Sequence, residues 1–253
     1  KDRERGGKAG DHRKRASSLD HPLDSRRWQM LPPFQRLFSQ GHPMFFQTQG
    51  IRLAYDDTGS GLPIVFLHAF PLNRSMWAPQ VSALSAQFRT IAIDLRGHGE
   101  SDAPLWSFSL DQYADDVAAL LDHLDIPQAV LVGLSMGGYV SLAFSRTYGK
   151  RLLGLVLADT RAQADSPDGR TGRFHLAQTA YTQGTETVAN TMLPKLLGAT
   201  SLNNKPELVE SIRRTIHQAP VSGILVDLMA MADRRDSTTH LSAILCPTLV
   251  VIG

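Results

Sequence analysis

Cysteine is almost absent from this 253-residue chain, which contains only Cys246. An internal disulfide is therefore excluded, and a reducing, cytoplasmic location is expected. No apolar run approaches the roughly 18 residues of a membrane-spanning helix, so no membrane partner is expected. No cluster of histidine, cysteine and carboxylate side chains has the spacing of metal ligands. No G-x-G-x-x-G motif follows the first predicted strand. We therefore expect neither a metal nor a dinucleotide cofactor.

Positive charge is concentrated at the start of the chain. Residues 1–43 carry 10 Lys and Arg against 5 Asp and Glu, whereas residues 44–253 carry 16 against 19, a slight acidic excess. The 1–43 region has no apolar periodicity and no hydrophobic segment of a secretory signal. It is predicted to be a disordered or non-native extension before a natural start at Met44. A basic arm or an organelle address is the alternative. The acidic remainder predicts no nucleic-acid partner.

Short apolar runs alternate with helical patterns from Met44 onward. A hairpin is predicted around Gln49-Gly50, and a helix is predicted over 75–88. Ser109 begins another helix, with Gln112 completing a capping box. This alternation predicts an α/β fold, with a mostly parallel sheet and helices on both faces. The predicted strands are Phe45–Thr48, Ile51–Asp56, Ile64–Leu67, Thr90–Asp94, Ala129–Val132, Leu152–Ala158 and Thr248–Ile252.

The alternation stops between Arg161 and Leu241. This span has several amphipathic helical patterns and no strand pattern, so an inserted helical cap over the strand ends is predicted, with some of its side chains lining a pocket. The expected organisation is the first part of the α/β core over 44–160, the cap over 161–241 and a returning core strand over 242–253.

The segment Gly133-Leu134-Ser135-Met136-Gly137 follows an apolar strand pattern and opens a helical one. In that context G-x-S-x-G predicts a sharp turn that exposes a nucleophilic serine. Glycines suit its crowded flanks, and the following helix directs its N-terminal N–H groups towards the site. The alternative is a glycine-rich turn in which Ser135 only caps the helix.

Other polar residues fall at the predicted carboxyl ends of strands, where the active sites of parallel sheets gather. They include His68, Asp94 and Asp159. Asp94 and His98 have the residue types of an acid–base pair, but a tight polar turn held by hydrogen bonds is the favoured interpretation.

Several ordered motifs together resemble the α/β-hydrolase family over residues 44–253. They are His68-Ala69-Phe70-Pro71, the turn Asp94–Ser101, the Ser135 turn and the position of the helical insertion. Within the family the chain is similar to the small esterase and lactonase branch, which includes 3-oxoadipate enol-lactonases and non-haem haloperoxidase-like esterases. The resemblance implies an α/β-hydrolase fold and a serine hydrolase of a small-molecule carboxylic ester or lactone, acting without a cofactor.

The resemblance also implies roles for individual residues. Ser135 would be the nucleophile, and the backbone N–H groups of Phe70 and Met136 would form the oxyanion hole. His68 would support the loop that carries Phe70 and would not be the base. This chain has Ala69 where the family motif usually has glycine.

The family's catalytic acid and histidine fall beyond the part of the chain shown. The resemblance places the acid after the strand equivalent to Thr248–Ile252 and the histidine after one further strand, whereas the sequence stops at Gly253. We therefore expect a C-terminally truncated chain that lacks the last strand and helix and is inactive as shown. Some family members place the acid directly after the strand that follows the nucleophile helix, so the resemblance makes Asp159 the alternative acid, with a structural or pocket-wall role as the other interpretation. The alternative function is a non-catalytic ligand-binding or signalling homologue.

Overall fold

A seven-stranded sheet forms the centre of the computed structural model, which describes residues 43–103 and 109–253. Its strands lie in the order β1-β2-β4-β3-β5-β6-β7. The pairs β1–β2 and β2–β4 are antiparallel, and every other pair is parallel. The mostly parallel sheet is therefore confirmed. The predicted extension 1–43 lies outside the described residues, except for Pro43. The strands are β1 (Met44–Thr48), β2 (Ile51–Thr58), β3 (Pro63–Leu67), β4 (Arg89–Ile93), β5 (Ala129–Leu134), β6 (Leu152–Ala158) and β7 (Thr248–Val251).

Among the described residues, three α-helices connect the first six strands, and five more α-helices lie between β6 and β7. None of the described helices combines the length and apolar character needed to cross a membrane. The helices are α1 (Ala78–Leu84), α2 (Leu110–His123), α3 (Met136–Tyr148), α4 (Pro167–Gln183), α5 (Thr185–Leu196), α6 (Ala199–Asn204), α7 (Pro206–Gln218) and α8 (Val221–Ala232). We call the stretch from α4 to α8 the helical segment.

The helix predicted over 75–88 is wrong in its extent. A short 3-10 helix, Arg74–Trp77, comes first, and α1 then covers only Ala78–Leu84. The side-chain oxygen of Asn73 accepts the Ser75 N–H at 3.0 Å, which tightens the first turn. Pro79 lies in the first turn of α1, where its missing N–H leaves no hydrogen bond unmade. The stretch predicted as one helix is therefore a 3-10 helix followed by a short α-helix.

The sheet is covered on both faces, as the uninterrupted apolar run of β3 predicts. Val65 and Leu67 belong to the core cluster that includes α2 and α3. Ile64 and Phe66 point to the opposite face and pack in the cluster that contains Trp77. The four side chains from Ile64 to Leu67 are therefore all buried, two on each face of the sheet. This burial holds β3 in the middle of the sheet and fixes the position of its carboxyl end.

A group of ion pairs joins the two ends of the helical segment. The Asp165 carboxylate receives hydrogen bonds from Arg173 and pairs with Arg234, whose Nη1 lies 2.6 Å from Asp165 Oδ1. The Arg234 guanidinium also lies over the ring of Tyr139 in α3, 4.2 Å from its centroid. Burial acts to raise the pKa of Asp165, but the hydrogen bonds from the two arginines outweigh it and the pKa is lowered.

Asp165→Asn is expected to lower the free energy of unfolding at pH 7 by about 2 kcal/mol, since hydrogen bonds to a charged partner are lost. The lowered pKa means that the folded state favours the carboxylate. The stabilisation that the Asp165 carboxylate provides is complete above pH 3.8, the ordinary pKa that it has in the unfolded chain. This stabilisation disappears as the pH falls through the lower pKa of the folded state. Urea unfolding should be measured for wild type and variant from pH 7 down to pH 3. The difference in their free energies of unfolding should stay constant down to about pH 4 and shrink below it.

The matched control is Asp233→Asn, which removes an ion pair of the same segment that is exposed to solvent. Asp233 Oδ1 lies 2.8 Å from Arg170 Nη2, but the Asp233 side chain is 67% exposed. We expect a change below about 0.5 kcal/mol at every pH. Equal effects of the two substitutions would contradict the role given to Asp165.

Candidate active site

Ser135 occupies a strained turn between the carboxyl end of β5 and the start of α3. Its φ is 50° and its ψ is −107°, a left-handed conformation that non-glycine residues rarely adopt. Hydrogen bonds to the end of β6 and the residues after it hold this geometry. The Ser135 N–H donates to the Ala158 carbonyl at 2.9 Å, and Thr160 Oγ1 donates to the Ser135 carbonyl at 2.8 Å. The residue is only partly buried. The sharp serine turn predicted from the sequence is therefore present.

The glycines on either side of Ser135 allow backbone segments to touch. A Cβ atom at Gly133 would lie 2.3 Å from the Gly137 carbonyl oxygen, and one at Gly137 would lie 2.2 Å from the carbonyl oxygen of Leu67 in β3. Real Cβ atoms do not approach backbone oxygens so closely. The first turn of α3 is thus pressed against the ends of both β3 and β5, and only glycine fits at these two positions.

The residues predicted to form the oxyanion hole follow adjacent strands. Met136 is the first residue of α3, and Phe70 comes three residues after β3, which pairs directly with β5. Within the part of the chain that the structure describes, neither backbone N–H group donates a hydrogen bond. An N–H group at the N-terminus of a helix is left without an intrahelical acceptor and is suited to bind an anion.

His68 is fully buried and supports the loop that carries Phe70. Its Nε2 accepts the Leu95 N–H at 3.0 Å, so Nδ1 carries the proton and donates to the Ala69 carbonyl at 3.1 Å. Burial, reinforced by the neighbouring His98, lowers the pKa of His68 well below its usual range. A neutral imidazole with both nitrogens engaged has a structural role, as the resemblance implies.

Asp94 and His98 do not pair with each other. The Asp94 carboxylate accepts backbone N–H groups from Arg74 at 2.7 Å and Glu100 at 2.9 Å, and it forms an ion pair with the Arg74 guanidinium. Burial raises the pKa of Asp94, and the Arg74 charge opposes that rise. His98 binds the carboxylate of Asp227 in α8. Each residue therefore stabilises the turn after β4, which agrees with the favoured interpretation of the sequence.

Asp159, the alternative acid, lies at the surface directly after β6. Its φ is 40°, and its N–H donates to the Val251 carbonyl of β7 at 2.8 Å. Across residues 43–103 and 109–253, no hydrogen bond joins an imidazole to Ser135 Oγ or to the Asp159 carboxylate. Among the same residues, no group of three side chains is placed to hold a metal ion. The described residues thus include the serine turn and the N–H groups of Phe70 and Met136, but no imidazole that is hydrogen-bonded to Ser135.

A cavity of about 770 Å³ lies between the sheet and the helical segment. Its apolar wall includes Leu72 and Leu134 from the sheet side and Leu196 and Ile212 from α5 and α7. Leu134 is the residue immediately before Ser135. The cavity therefore begins beside the serine turn and extends under the helices, with a volume suited to a small organic molecule.

Comparison with known proteins identifies the family. The sequence profile of the alpha/beta hydrolase fold matches residues 63–253. The chain belongs to the α/β-hydrolase fold family. It is 31% identical over 190 residues to 3-oxoadipate enol-lactonase 2 of Acinetobacter baylyi, covering 75% of this chain and 70% of that protein.

Solved structures of α/β-hydrolases agree with this assignment. A thermophilic esterase from Thermogutta terrifontis, solved with malate bound, superimposes with a TM-score of 0.80 at 43% identity, covering 84% of this chain and 80% of that one. The enol-lactonase from Burkholderia xenovorans LB400 superimposes with a TM-score of 0.77 at 31% identity, covering 82% of this chain and 80% of that one. The resemblance to the esterase and enol-lactonase branch is confirmed.

Two contributors to this α/β-hydrolase site were missed by sequence reasoning. Thr160 was not singled out from the sequence, yet its hydroxyl donates to the Ser135 carbonyl. Asp227 lies in an apolar helical pattern of the insertion, 129 residues after its partner His98. A lone carboxylate among buried positions of α8 was the available signal, since an unpaired buried charge is very costly.

Proposed function

We propose that this protein is a serine hydrolase of carboxylic esters or lactones that works through an acyl-enzyme. The observation that carries the proposal is the strained, glycine-flanked backbone of Ser135 at the carboxyl end of β5. Strain of this kind persists only where the surrounding structure enforces it, and it is concentrated at functional sites. A serine that served only as a helix cap would have extended backbone angles, which Ser135 does not have.

In the proposed reaction, Ser135 Oγ attacks the carbonyl carbon while a base removes its proton. The resulting oxyanion accepts hydrogen bonds from the N–H groups of Phe70 and Met136, which is the proposed source of its stabilisation. The intermediate collapses to an acyl-enzyme and the alcohol leaves with the proton that the base returns. A water molecule, deprotonated by the same base, then releases the acid and restores Ser135. For a lactone, acid and alcohol remain in one product.

The base in this scheme is a residue that the structure does not describe. The family resemblance implies a histidine after one further strand beyond β7, oriented by an acid after β7 or, alternatively, by Asp159. The coding sequence on either side of codons 1–253 tests this assignment. An aspartate soon after Gly253, followed by a strand pattern and a histidine, would supply both groups.

We also propose that the helical segment is a cap that shapes the substrate pocket. The support is the cavity described above, whose walls come from α5 and α7 on one side and from the turns after β3 and β4 and the last residue of β5 on the other. Its leucine and isoleucine side chains suit an acyl or alcohol group with an apolar body, while Arg74, Glu100 and Arg214 add charged groups to the lining.

The decisive experiment uses the full-length protein. Hydrolysis of p-nitrophenyl butyrate and of a γ-lactone is measured, and the protein is treated with a fluorophosphonate whose attachment site is found by mass spectrometry. The proposal expects turnover and labelling at Ser135. Ligand binding without turnover or labelling would favour the non-catalytic alternative, and labelling at another serine would refute the role of Ser135.

A further inference from the structure

Three buried polar side chains join α8 to the core beneath the loop that carries Phe70. His98, Tyr113 and Asp227 are all fully buried. His98 Nε2 lies 2.5 Å from Asp227 Oδ2, and the Tyr113 hydroxyl donates to Asp227 Oδ1. Each carboxylate oxygen therefore accepts one hydrogen bond. Loss of the carboxylate would leave two buried donors without an acceptor.

The carboxylate of Asp227 sets the orientation of the His98 ring. His98 Nδ1 is buried and has no hydrogen-bond partner among the described residues, so Nε2 to Asp227 is the ring's directional contact. Burial, together with the Asp227 charge, raises the pKa of Tyr113 well above its usual range. The tyrosine hydroxyl thus remains a donor at neutral pH.

The His98 ring in turn packs against the loop that carries Phe70. Its centroid lies 5.1 Å from that of His68 and 6.5 Å from that of Phe70, in edge-to-face arrangements with interplanar angles of 67° and 84°. His68 is itself fixed by hydrogen bonds to Leu95 and Ala69. The ring of His98 therefore contacts both aromatic side chains of the loop and limits where the Phe70 backbone can lie.

A backbone contact places α8 at the required distance. A Cβ atom at Gly223 would lie 2.1 Å from the Gly97 carbonyl oxygen, and one at Gly97 would lie 2.8 Å from the Gly223 Cα. Asp227 follows Gly223 by four residues, so both lie on the same face of α8. The glycine contact sets the height of the helix above the turn, and Asp227 then reaches His98.

We infer that Asp227 is a positioning residue for the oxyanion hole, acting through His98 on the loop that holds the Phe70 N–H group. The helical segment would thereby contribute to catalysis as well as to the shape of the pocket. This inference rests on the proposed function, because it matters only if Phe70 stabilises an oxyanion. Asp227 itself touches no substrate.

The test is Asp227→Asn in the full-length protein, with kcat and KM measured on p-nitrophenyl butyrate. Asparagine keeps the shape but offers one acceptor oxygen where the carboxylate offers two, so the His98 ring or the Tyr113 hydroxyl loses its partner. We expect kcat to fall by about tenfold to a hundredfold, as for a misplaced catalytic group, with KM changed by less than about twofold. An arylboronic acid, which forms a tetrahedral adduct on a nucleophilic serine, should bind more weakly by the same factor as kcat/KM.

Asp165→Asn is the matched control, because it neutralises another buried carboxylate of the same part of the chain. Its partners Arg173 and Arg234 do not contact Phe70 or His68, so kcat, KM and boronate affinity should stay near wild type. Unchanged kcat and boronate binding in a folded Asp227→Asn, or equal losses in both variants, would overturn the inference.

A second variant keeps the inference testable if Asp227→Asn does not fold. Tyr113→Phe removes one hydrogen bond to Asp227 and leaves His98 in contact, so kcat should fall by about threefold to tenfold, and boronate affinity should fall by the same factor. Wild-type values of both in Tyr113→Phe would then count against Asp227. A wild-type protein without turnover and without labelling at Ser135 would instead show that the proposed function itself is wrong, before any variant is compared.

Discussion

Ser135→Ala is expected to lower kcat for ester hydrolysis by about 10⁵- to 10⁶-fold, because the atom that forms the covalent bond is removed. The oxyanion donors at Phe70 and Met136 remain in place, so a small residual rate above the uncatalysed reaction and a nearly unchanged KM are expected. Steady-state kinetics on an aryl ester measure both quantities. Rapid-mixing experiments should also lose the initial burst of alcohol release that marks an acyl-enzyme.

The control for this experiment is Ser145→Ala. Ser145 is a buried serine of the same helix, α3, and its hydroxyl donates to the Leu142 carbonyl at 2.8 Å, away from the turn. Its replacement should leave kcat near the wild-type value. A Ser135→Ala protein that retained more than about one hundredth of the wild-type kcat, after active-site titration to exclude contamination, would contradict the proposed mechanism.

Gly137→Ala is expected to produce the second large effect, on stability as well as on activity. The new Cβ atom would lie 2.2 Å from the Leu67 carbonyl oxygen and 2.9 Å from Leu67 Cβ. The nearest of these is a backbone atom of Leu67, which is fully buried, so no side-chain rotation relieves the clash, and α3 must move away from β3. We expect a loss of about 3 kcal/mol or more in the free energy of unfolding, measured in urea.

Displacement of α3 would also move Ser135 and the Met136 N–H group. We therefore expect kcat of the folded fraction to fall by at least about a hundredfold, since misplacement by roughly 1 Å has effects of this size. Gly172→Ala is the matched control, because Gly172 lies inside α4 and a Cβ atom added there would have no neighbour within 4 Å. That change should stabilise the protein by about 0.5–1 kcal/mol. Wild-type stability of Gly137→Ala would refute the close approach of α3 to β3.

The features predicted from the sequence are those set by residues close together in the chain. The hairpin at Gln49-Gly50 is present because a two-residue turn joins two strand patterns. The all-apolar run of β3 predicted burial on both faces, and both core clusters contain its side chains. The serine turn was evident because its glycines and its serine lie within five residues. Local spacing was sufficient in each case.

The features that sequence reasoning did not predict depend on contacts between distant parts of the chain. Nothing near His98 indicates that its partner is Asp227, since the segments meet only when α8 crosses the turn after β4. The same is true of the Thr160 hydroxyl, which reaches the Ser135 carbonyl only because β6 lies beside β5. Amphipathic patterns predicted helices between β6 and β7, but they do not specify which helix docks on which turn.

The contact between Gly97 and Gly223 limits how this fold can vary. When two residues touch through their backbones, a larger residue on one side cannot be offset by a smaller one on the other, because no residue is smaller than glycine. The distance between α8 and the turn after β4 is therefore set by backbone contact, and compensating side-chain substitutions cannot change it. Selection for a new substrate can reshape the cavity through the side chains of α5 and α7 that line it, while α8 stays where it is.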